Sequence, residues 1–250
     1  MKKILYYTAL AFCAILLLSL QACEKSNLNT GNSGTGTGGS LARFTISGNY
    51  LYIVDHTSLK TYNITNPNNP VRSSTQYLNN DIETIYPYRD KLFIGSQSAM
   101  YIYSLSNPAI PVFESNVSHV RACDPVVAKD NYAYVTVRSG STCGGVVNAL
   151  MVYEVGNNME QPILHKTIDL EQPYGLGISH NTLYVCDANK GLKIFDISSP
   201  QATNSIGVKT GYKFYDCIPY NDVLVCMVEG GMVVYDITNP RDPVFVAKTF

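Results

Sequence analysis

Residues 230–240 read GGMVVYDITNP, and variants of this phrase occur at four other places in the 250-residue chain. They are LKTYNITNP (59–67), AMYIYSLSNP (99–108), ALMVYEVGNN (149–158) and GLKIFDISSP (191–200). Each joins a run of apolar and β-branched residues to turn-forming residues, which is typical of a β-strand that ends in a tight turn. Five copies of one strand and turn predict a repeat architecture.

The strands that precede these phrases set the repeat length. They begin at Leu51, Leu92, Ala133, Leu183 and Leu224, so successive copies are 41, 41, 50 and 41 residues apart. The one long step arises from about nine extra residues in copy three, between Val137 and Ala149. Each copy contains four short apolar runs, and in copy four these are YGLGIS, TLYVCD, GLKIFDIS and NSIGVK. Their length and their content of Val, Ile and Tyr predict strands rather than helices.

A pair of turn residues separates the first run from the second in every copy. The five pairs are Gly48-Asn49, Arg89-Asp90, Asp130-Asn131, His180-Asn181 and Asn221-Asp222. Because Asn, Asp and Gly tolerate the positive φ of tight hairpins, each pair predicts a two-residue connection. Four-stranded antiparallel units at this period predict an all-β fold, a five-bladed β-propeller; an open solenoid is the alternative.

The predicted propeller occupies residues 41–250, with blades at approximately 41–79, 80–118, 119–170, 171–210 and 211–250. SLARFTIS (40–47) supplies the first strand of blade one, and PVFVAKTF (243–250) supplies the fourth strand of blade five. No blade then borrows a strand from the opposite terminus. We therefore expect the ring to close by side-chain packing between blades five and one, and we expect this junction to be its weakest point.

The first 22 residues have the pattern of a signal peptide, in which two lysines precede an apolar run from Ile4 to Leu20. The run ends at Leu20-Gln21-Ala22-Cys23, which resembles a bacterial lipobox, where the cysteine becomes the lipidated first residue. An ordinary secretory signal is the alternative. Residues 23–40, rich in Gly, Ser, Thr and Asn, are expected to form a flexible tether. The expected location is the cell envelope, anchored to the outer membrane, with the periplasmic or surface side left open.

Composition and motifs exclude several functions. The chain has 18 Lys and Arg against 19 Asp and Glu with no basic stripe, which disfavours nucleic acid as a partner. The four histidines have no metal-ligand spacing with another His or Cys, and no GxSxG or HExxH motif is present. We therefore expect no cofactor and no metal.

The repeats resemble those of the LVIVD-repeat proteins, a group of secreted or surface propellers of bacteria and archaea. LYVCDANKGLKIFDISSP (183–200) and LVCMVEGGMVVYDITNP (224–240) carry most of the resemblance. The lipobox-like motif, the tether and the segments CDPVVAKDNYAYVT (123–136) and SGSTCGG (139–145) are similar to a lipoprotein branch found in Bacteroidetes. The resemblance implies the fold and no particular activity. Copy three departs from the pattern at residues 154–158, where EVGNN replaces the usual exit phrase.

Five cysteines fall within the predicted propeller. Cys123 begins the first strand of blade three and Cys143 lies in its insertion, at the same end of the blade, so we predict a disulfide between them. Two separate buried thiols are the alternative. Cys217 and Cys226 should face each other across the turn at 221–222, as either a second disulfide or two small buried side chains. Cys186 is then expected to be unpaired and buried.

One face of a propeller carries the loops that lead into the first strands and those that join second to third strands. The insertion of copy three, residues 138–148, lies there by topology, and loops on a rigid scaffold commonly bind ligands. The candidate binding residues are Glu83, Arg121, Asp124, Arg138, Tyr174, Asp187 and Tyr215. The acidic members have an alternative role, which is to cap loop amides and strand ends.

These features predict a monomeric, non-enzymatic lipoprotein whose propeller presents a binding or scaffolding surface to a protein, glycan or envelope component. The alternative is a hydrolase or lyase of extracellular glycans, with Asp81, Glu83 or Asp124 as acid–base groups at the central channel. Such catalysis needs two carboxylates about 5–10 Å apart over an open pocket. A passive spacer in a larger assembly is a third possibility.

Overall fold

A computed structural model describes residues 39–78, 82–118, 125–139, 146–155 and 162–249. These residues form β-strands in five consecutive groups of four, together with one short 3-10 helix at Pro200–Ala202. Blades one and two contain β1 (Phe44–Ser47), β2 (Tyr50–Val54), β3 (Ser58–Asn63), β4 (Val71–Tyr77), β5 (Ile82–Tyr88), β6 (Lys91–Ser96), β7 (Ala99–Ser104) and β8 (Val112–Ser118). Blade three contains β9 (Val126–Lys129), β10 (Tyr132–Val137), β11 (Ala149–Glu154) and β12 (Ile163–Asp169). Blades four and five contain β13 (Leu176–Ser179), β14 (Thr182–Cys186), β15 (Leu192–Asp196), β16 (Asn204–Lys209), β17 (Phe214–Tyr220), β18 (Val223–Val228), β19 (Gly231–Asp236) and β20 (Val244–Thr249).

Each group forms its own antiparallel sheet, with the four strands in chain order. The fold is therefore an all-β, five-bladed β-propeller of four-stranded antiparallel blades, as the repeat predicted. Among the described strands none joins the sheet of another group, so blades five and one do not share a strand. No helix in the described ranges is long and apolar enough to cross a membrane.

The five turn pairs adopt the predicted hairpin conformation. Their first residues all have positive φ, namely Gly48 (57°), Arg89 (53°), Asp130 (53°), His180 (53°) and Asn221 (50°). Positive φ at this position matches the right-handed twist of the two flanking strands. The strands therefore pair directly across each turn, as between Ser179 and Thr182.

The repeated phrase is the third strand and its exit turn. In YDITNP, Asp236 ends β19 and its Oδ1 accepts a hydrogen bond from the amide of Thr238 (2.7 Å). Asn239 Oδ1 then accepts from the amide of Arg241 (3.2 Å), on the far side of the proline. Equivalent pairs occur at Asn63 and Asn66 in blade one. Short polar side chains thus hold the turn that the proline begins.

Four hydrophobic clusters form the core, one at each junction between consecutive blades. Their central members are Tyr52, Leu59 and Ile82 for blades one and two, Phe93, Met100 and Val126 for two and three, Tyr134, Leu176 and Phe195 for three and four, and Tyr184, Phe214 and Leu224 for four and five. Among the described residues no fifth cluster joins blade five to blade one. The expected closure by side-chain packing is therefore not found at this junction.

A short segment before β1 makes the contacts near the centre instead. Ser40 Oγ donates to Asp216 Oδ1 (3.2 Å) and accepts from the amide of Leu176 (2.7 Å). The carbonyl of Ala42 accepts from the amide of Ile85 (2.9 Å). Residues 39–42 thus contact the inner strands of blades two, four and five. Ser40 is 1% exposed, so residues 39 and 40 belong to the folded domain and not to the predicted tether.

Candidate functional site

Three of the predicted binding residues come together from blades three, four and five. Arg138 Cζ lies 4.0 Å from the centroid of the Tyr174 ring. Tyr174 and Tyr215 pack edge to face, with centroids 5.2 Å apart and planes at 84°. Lys213 Nζ extends the series, 5.5 Å from the centroid of Tyr215. We call Arg138, Tyr174, Tyr215 and Lys213 the cation–aromatic row.

A recurring bulge explains why tyrosines occupy this place. In β17 the register passes from the Phe214–Val228 pair to the Asp216–Met227 pair, which leaves Tyr215 without a partner on β18. Tyr174 occupies the equivalent place in blade four. There the carbonyl of Cys186 accepts a hydrogen bond from the amide of Tyr174, and the amide of Cys186 donates to the carbonyl of Gly175. A bulge bends the strand end and redirects the extra side chain, here towards the face that carries the loops into the first strands.

Glu83 is the bulged residue of blade two, between Ile82 and Thr84. Glu83 and Tyr215 therefore share one repeat position, and the candidates Asp124 and Tyr174 align with it in the sequence. Glu83 lies in blade two, one blade before Arg138. Of the described members of this ring of positions, Tyr174 and Tyr215 are in contact.

Hydrogen bonds hold Tyr174, Tyr215 and Lys213 of the row in place. Thr136 Oγ1 donates to the carbonyl of Tyr174 (2.6 Å). Glu229 Oε1 accepts from Lys213 Nζ and from the Tyr215 hydroxyl, both at 3.4 Å. Hydrogen bonding to Tyr215, and then to Glu229, raises the pKa of Lys213. The row thus presents two cations, two aromatic rings and one carboxylate, which suits an anionic or polar ligand.

Lys213 and Glu229 were not predicted from the sequence. Lys213 lies two residues before the bulged tyrosine, and Glu229 directly follows β18, in the loop between second and third strands. Both positions belong to the loops of the predicted binding face. Their place in the repeat could have identified them; their amino-acid type alone could not.

Asp187 is a correction to the predicted binding face. The residue is 0% exposed, and its Oδ1 accepts from the amides of Gln172 (2.7 Å) and Glu171 (3.1 Å). Lys193 Nζ lies 3.9 Å from its other oxygen. Asp187 therefore caps the loop that leads into blade four, which is the alternative role foreseen for the acidic candidates.

A polar cavity of about 190 Å³ lies beside Asp187, at the base of the blade-three insertion. Ser139 and Asn148 line one side of it, and Glu171 and Lys190 line the other. The amide of Ser139 donates to Asn148 Oδ1 (2.7 Å), which closes the base of the insertion. The insertion thus begins next to the cation–aromatic row, since Arg138 immediately precedes Ser139.

Several predicted residues lie outside the described ranges. They are Cys23, Asp81, Arg121, Cys123, Asp124, Cys143 and the part of the insertion at residues 140–145. The predicted Cys123–Cys143 disulfide and the lipidation of Cys23 therefore stay predictions. Within the described ranges no group of three or more His, Cys, Asp or Glu side chains could hold a metal ion.

Cys217 and Cys226 face each other in the register predicted from the turn. They are nevertheless free thiols, as is Cys186, so the second candidate disulfide is absent. The Cys217 thiol turns away from its partner strand and towards blade four, where Sγ lies 4.0 Å from the carbonyl oxygen of Tyr184. Burial raises the pKa of Cys186 to about 11, and a hydrogen bond with Cys186 together with burial raises that of Cys217. These three buried thiols are unreactive.

Asp216 is a carboxylate on β17, the first strand of blade five. Its Oδ1 accepts from the amide of Cys217 (2.9 Å) as well as from Ser40. Burial raises its pKa from 3.8 to about 6, against the opposing effect of these hydrogen bonds. Gly39 and Gly175 pack so closely against it that a Cβ at either position would collide with the carboxylate. Residues 39 and 175 thus pack closely against Asp216, which stays partly exposed.

Comparison with known proteins supports the fold. The LVIVD repeat model matches residues 38–75 and 175–208. No curated protein sequence matches the chain. Solved structures that resemble it include the computationally designed Ika8 protein (TM-score 0.60, 9% identity, 82% of this chain and 60% of that one).

Two other similar structures are named as lactonases. The periplasmic gluconolactonase PpgL of Pseudomonas aeruginosa has a TM-score of 0.60 and 11% identity, over 81% of this chain and 67% of that one. A putative 6-phosphogluconolactonase from Bacteroides fragilis has a TM-score of 0.62 and 9% identity, over 82% and 69%. This chain spans between 60% and 69% of the length of these three proteins. At such identities the likeness extends to the fold alone, and the sequence matches identify LVIVD repeats in the first and fourth blades of this propeller.

Proposed function

We propose that this protein is a non-enzymatic, lipid-anchored protein of the cell envelope whose propeller binds or scaffolds a protein, glycan or envelope component. The cation–aromatic row carries the proposal, because three consecutive blades contribute side chains to it at the face predicted to bind. Three of its members, Arg138, Tyr174 and Tyr215, are residues that the sequence alone predicts for this face. The insertion begins beside them and enlarges the same surface.

The chemistry of the row favours an anionic or hydroxyl-rich ligand. Arg138 and Lys213 supply charge, and the tyrosine rings supply flat apolar area with little side-chain freedom to lose. Lipidation at Cys23 would place this surface at the membrane, where such components are found. Anchoring at the outer membrane is part of the proposal.

The residues of the same face give less support to the alternative function, a hydrolase. Of the three carboxylates suggested for catalysis, Glu83 lies in the described ranges, whereas Asp81 and Asp124 lie outside them. The two other carboxylates near the strand ends, Asp187 and Asp216, are occupied by backbone amides or by Ser40. The lactonase names of two similar structures, at 9–11% identity, extend to the fold alone.

Quantitative pull-down from envelope extract tests the proposal, with residues 33–250 immobilised, since this range forms one compact unit. One variant removes the two cations of the row by Arg138→Ala and Lys213→Ala, and another deletes residues 139–147. A matched control, Arg89→Asn with Lys129→Ala, removes two cations from hairpin turns on the opposite face. We expect specific capture by the wild type and the control, and at least a tenfold loss in both test variants. Equal recovery from all four proteins would remove the row and the insertion from the binding surface.

A further inference from the structure

The polar cavity at the base of the blade-three insertion and the cation–aromatic row are built from the same two segments of the chain. Ser139 lines the cavity, and the residue before it, Arg138, is the first member of the row. Gln172 also lines the cavity, and Tyr174, two residues later, is the second member of the row. The cavity and the row are therefore neighbouring parts of one surface, and one ligand can contact both.

The cavity is polar, and its carboxylates are balanced by lysines. Lys190 Nζ lies 3.1 Å from Glu171 Oε1. Lys193 Nζ lies 3.9 Å from Asp187 Oδ2. The other polar residues of the lining are Ser139, Asn148, Gln172 and Asn189, and among the described lining residues only Ala188 is apolar. The cavity therefore offers hydrogen-bond donors and acceptors with little net charge, which suits a group that both donates and accepts.

Hydrogen bonds to the backbone hold the walls of the cavity in place. Asp187 is 0% exposed, and its Oδ1 accepts from the amides of Glu171 and Gln172. Its carbonyl accepts from the amide of Lys190 (2.7 Å). One buried aspartate thus fixes both the loop that leads into blade four and the loop that follows β14. Because these walls are already ordered, a ligand that enters the cavity costs little conformational entropy.

The volume of the cavity limits what can enter it. The cavity measures about 190 Å³, below the roughly 300–1,000 Å³ that is usual for pockets of drug-sized molecules. It therefore admits one group of the size of a sugar ring and not a folded segment of a protein. No amino-acid side chain carries several hydroxyl groups, so a protein partner would use the mixed donors and acceptors of the lining less completely than a sugar would.

We infer that the ligand of this surface is an acidic oligosaccharide, an assignment that rests on the proposed function and selects a glycan among its possible ligands. An uncharged sugar ring occupies the cavity, and an anionic group of the neighbouring sugar lies against the cation–aromatic row. Sugar hydroxyls donate to carboxylate and amide oxygens and accept from amide and ammonium groups, which all occur in the lining. An acidic sugar suits the cavity less well, because Glu171 would repel it, whereas Arg138 and Lys213 of the row attract it.

Binding of the purified full chain to a printed array of defined oligosaccharides tests this inference. Each uronate-containing member is printed beside its carboxyl-reduced counterpart, in which a primary alcohol replaces the carboxylate and the sugar sequence is unchanged. The wild type should bind a subset of the uronate-containing members. Isothermal titration should find their reduced counterparts at least about tenfold weaker, because the row then loses its ionic partner.

Two double variants separate the row from the cavity. Arg138→Ala with Lys213→Ala removes the cations of the row, and the acidic oligosaccharide and its reduced counterpart should then bind equally well. Gln172→Ala with Asn189→Ala removes two exposed side-chain amides from the cavity. This variant should bind both ligands about fivefold more weakly than the wild type does and should keep the preference for the acidic one. A misfolded chain could not keep that preference.

The control variant, Arg89→Asn with Lys129→Ala, should bind as the wild type does. A wild type that binds no array member at about 1 mM overturns the inference. So does equal affinity of the wild type for the acidic and reduced ligands, or wild-type affinity in the cavity variant. A silent array together with row-dependent capture from envelope extract would exclude the glycan and leave the proposed function standing. A silent array without such capture would exclude both.

Discussion

Individual residues at the centre of the molecule are fixed by unusually close contacts. Asp216 receives hydrogen bonds from Ser40 and from the amide of Cys217, and Gly39 and Gly175 leave room for its carboxylate. Ser40 Oγ also accepts a hydrogen bond from the amide of Leu176 in blade four. The only polar connection described between the segment before β1 and blade five therefore depends on one acidic side chain. Its charge state should be measurable as a change in stability.

Ionisation of Asp216 is predicted to destabilise the fold. Its pKa rises from 3.8 to about 6 on folding, so the folded state holds the proton more tightly than the unfolded chain does. Stability is then greatest below pH 4, falls as the pH rises to 6 and is constant above that, because the unfolded state binds fewer protons in the interval. The expected loss is about 3 kcal/mol.

Chemical denaturation of the wild type and of Asp216→Asn at pH 4, 5, 6 and 7 measures this effect. The carboxamide of the variant cannot ionise, so the difference between the two profiles isolates the one carboxyl group. Other carboxyls with lowered pKa, such as Asp236, act in the opposite direction and cancel in the difference. Parallel profiles for the two proteins would show that Asp216 does not titrate in this range.

Gly175 is predicted to tolerate no side chain. A Cβ there would collide with Asp216 Oδ1 and lie 2.7 Å from its Cγ and 3.0 Å from its Cα, so β13 and β17 would have to separate. Gly175→Ala should reduce the free energy of unfolding by about 1–3 kcal/mol. Gly207→Ala is the matched control, since its Cβ would meet Ile194 Cδ1 at an ordinary 3.6 Å. Thermal unfolding should place the control within about 0.5 kcal/mol of the wild type.

At the scale of elements, a tyrosine on the second strand connects neighbouring blades. Tyr52 and Tyr184 each span a junction to reach the carbonyl of the exit-turn proline. Tyr52→Phe and Tyr184→Phe should each lower the free energy of unfolding by about 1 kcal/mol, because a buried hydroxyl bond is lost without a cavity. The double variant should lose the sum, as the two junctions share no residue. Tyr220→Phe, at a residue 61% exposed, should leave urea unfolding unchanged; a loss at Tyr220 as large as that at Tyr184 would argue against the blade contact.

The insertion of blade three is the second element with a testable constraint. A Cys123–Cys143 disulfide would close a loop of about twenty residues and stabilise the fold by about 3 kcal/mol. Peptide mapping without reduction should find these two cysteines linked. Cys186, Cys217 and Cys226 should react with an alkylating reagent only after unfolding, because all three are buried free thiols. Alkylation of Cys123 and Cys143 in the unreduced, unfolded protein would contradict the predicted bridge.

For the whole molecule, local patterns were predictable and contacts between distant blades were not. Turn chemistry at Asn221-Asp222 and its equivalents gave the hairpins, the strand register and even the opposition of Cys217 and Cys226. The ends of the first strands gave Tyr174 and Tyr215 as candidate binding residues. The burial of Asp187 and the turning of Cys217 towards blade four depend on side-chain packing that no repeat encodes.

The end blades are predicted to open before the middle ones. Blades one and five each bury one side in a hydrophobic cluster, whereas blades two, three and four bury both. Hydrogen exchange should be at least tenfold faster in β2 and β18 than in their equivalents β10 and β14. Uniform protection of all five blades would instead require an apolar junction between blades five and one. The ion pair of Lys60 with Asp55, on the side of blade one away from blade two, argues against such a junction.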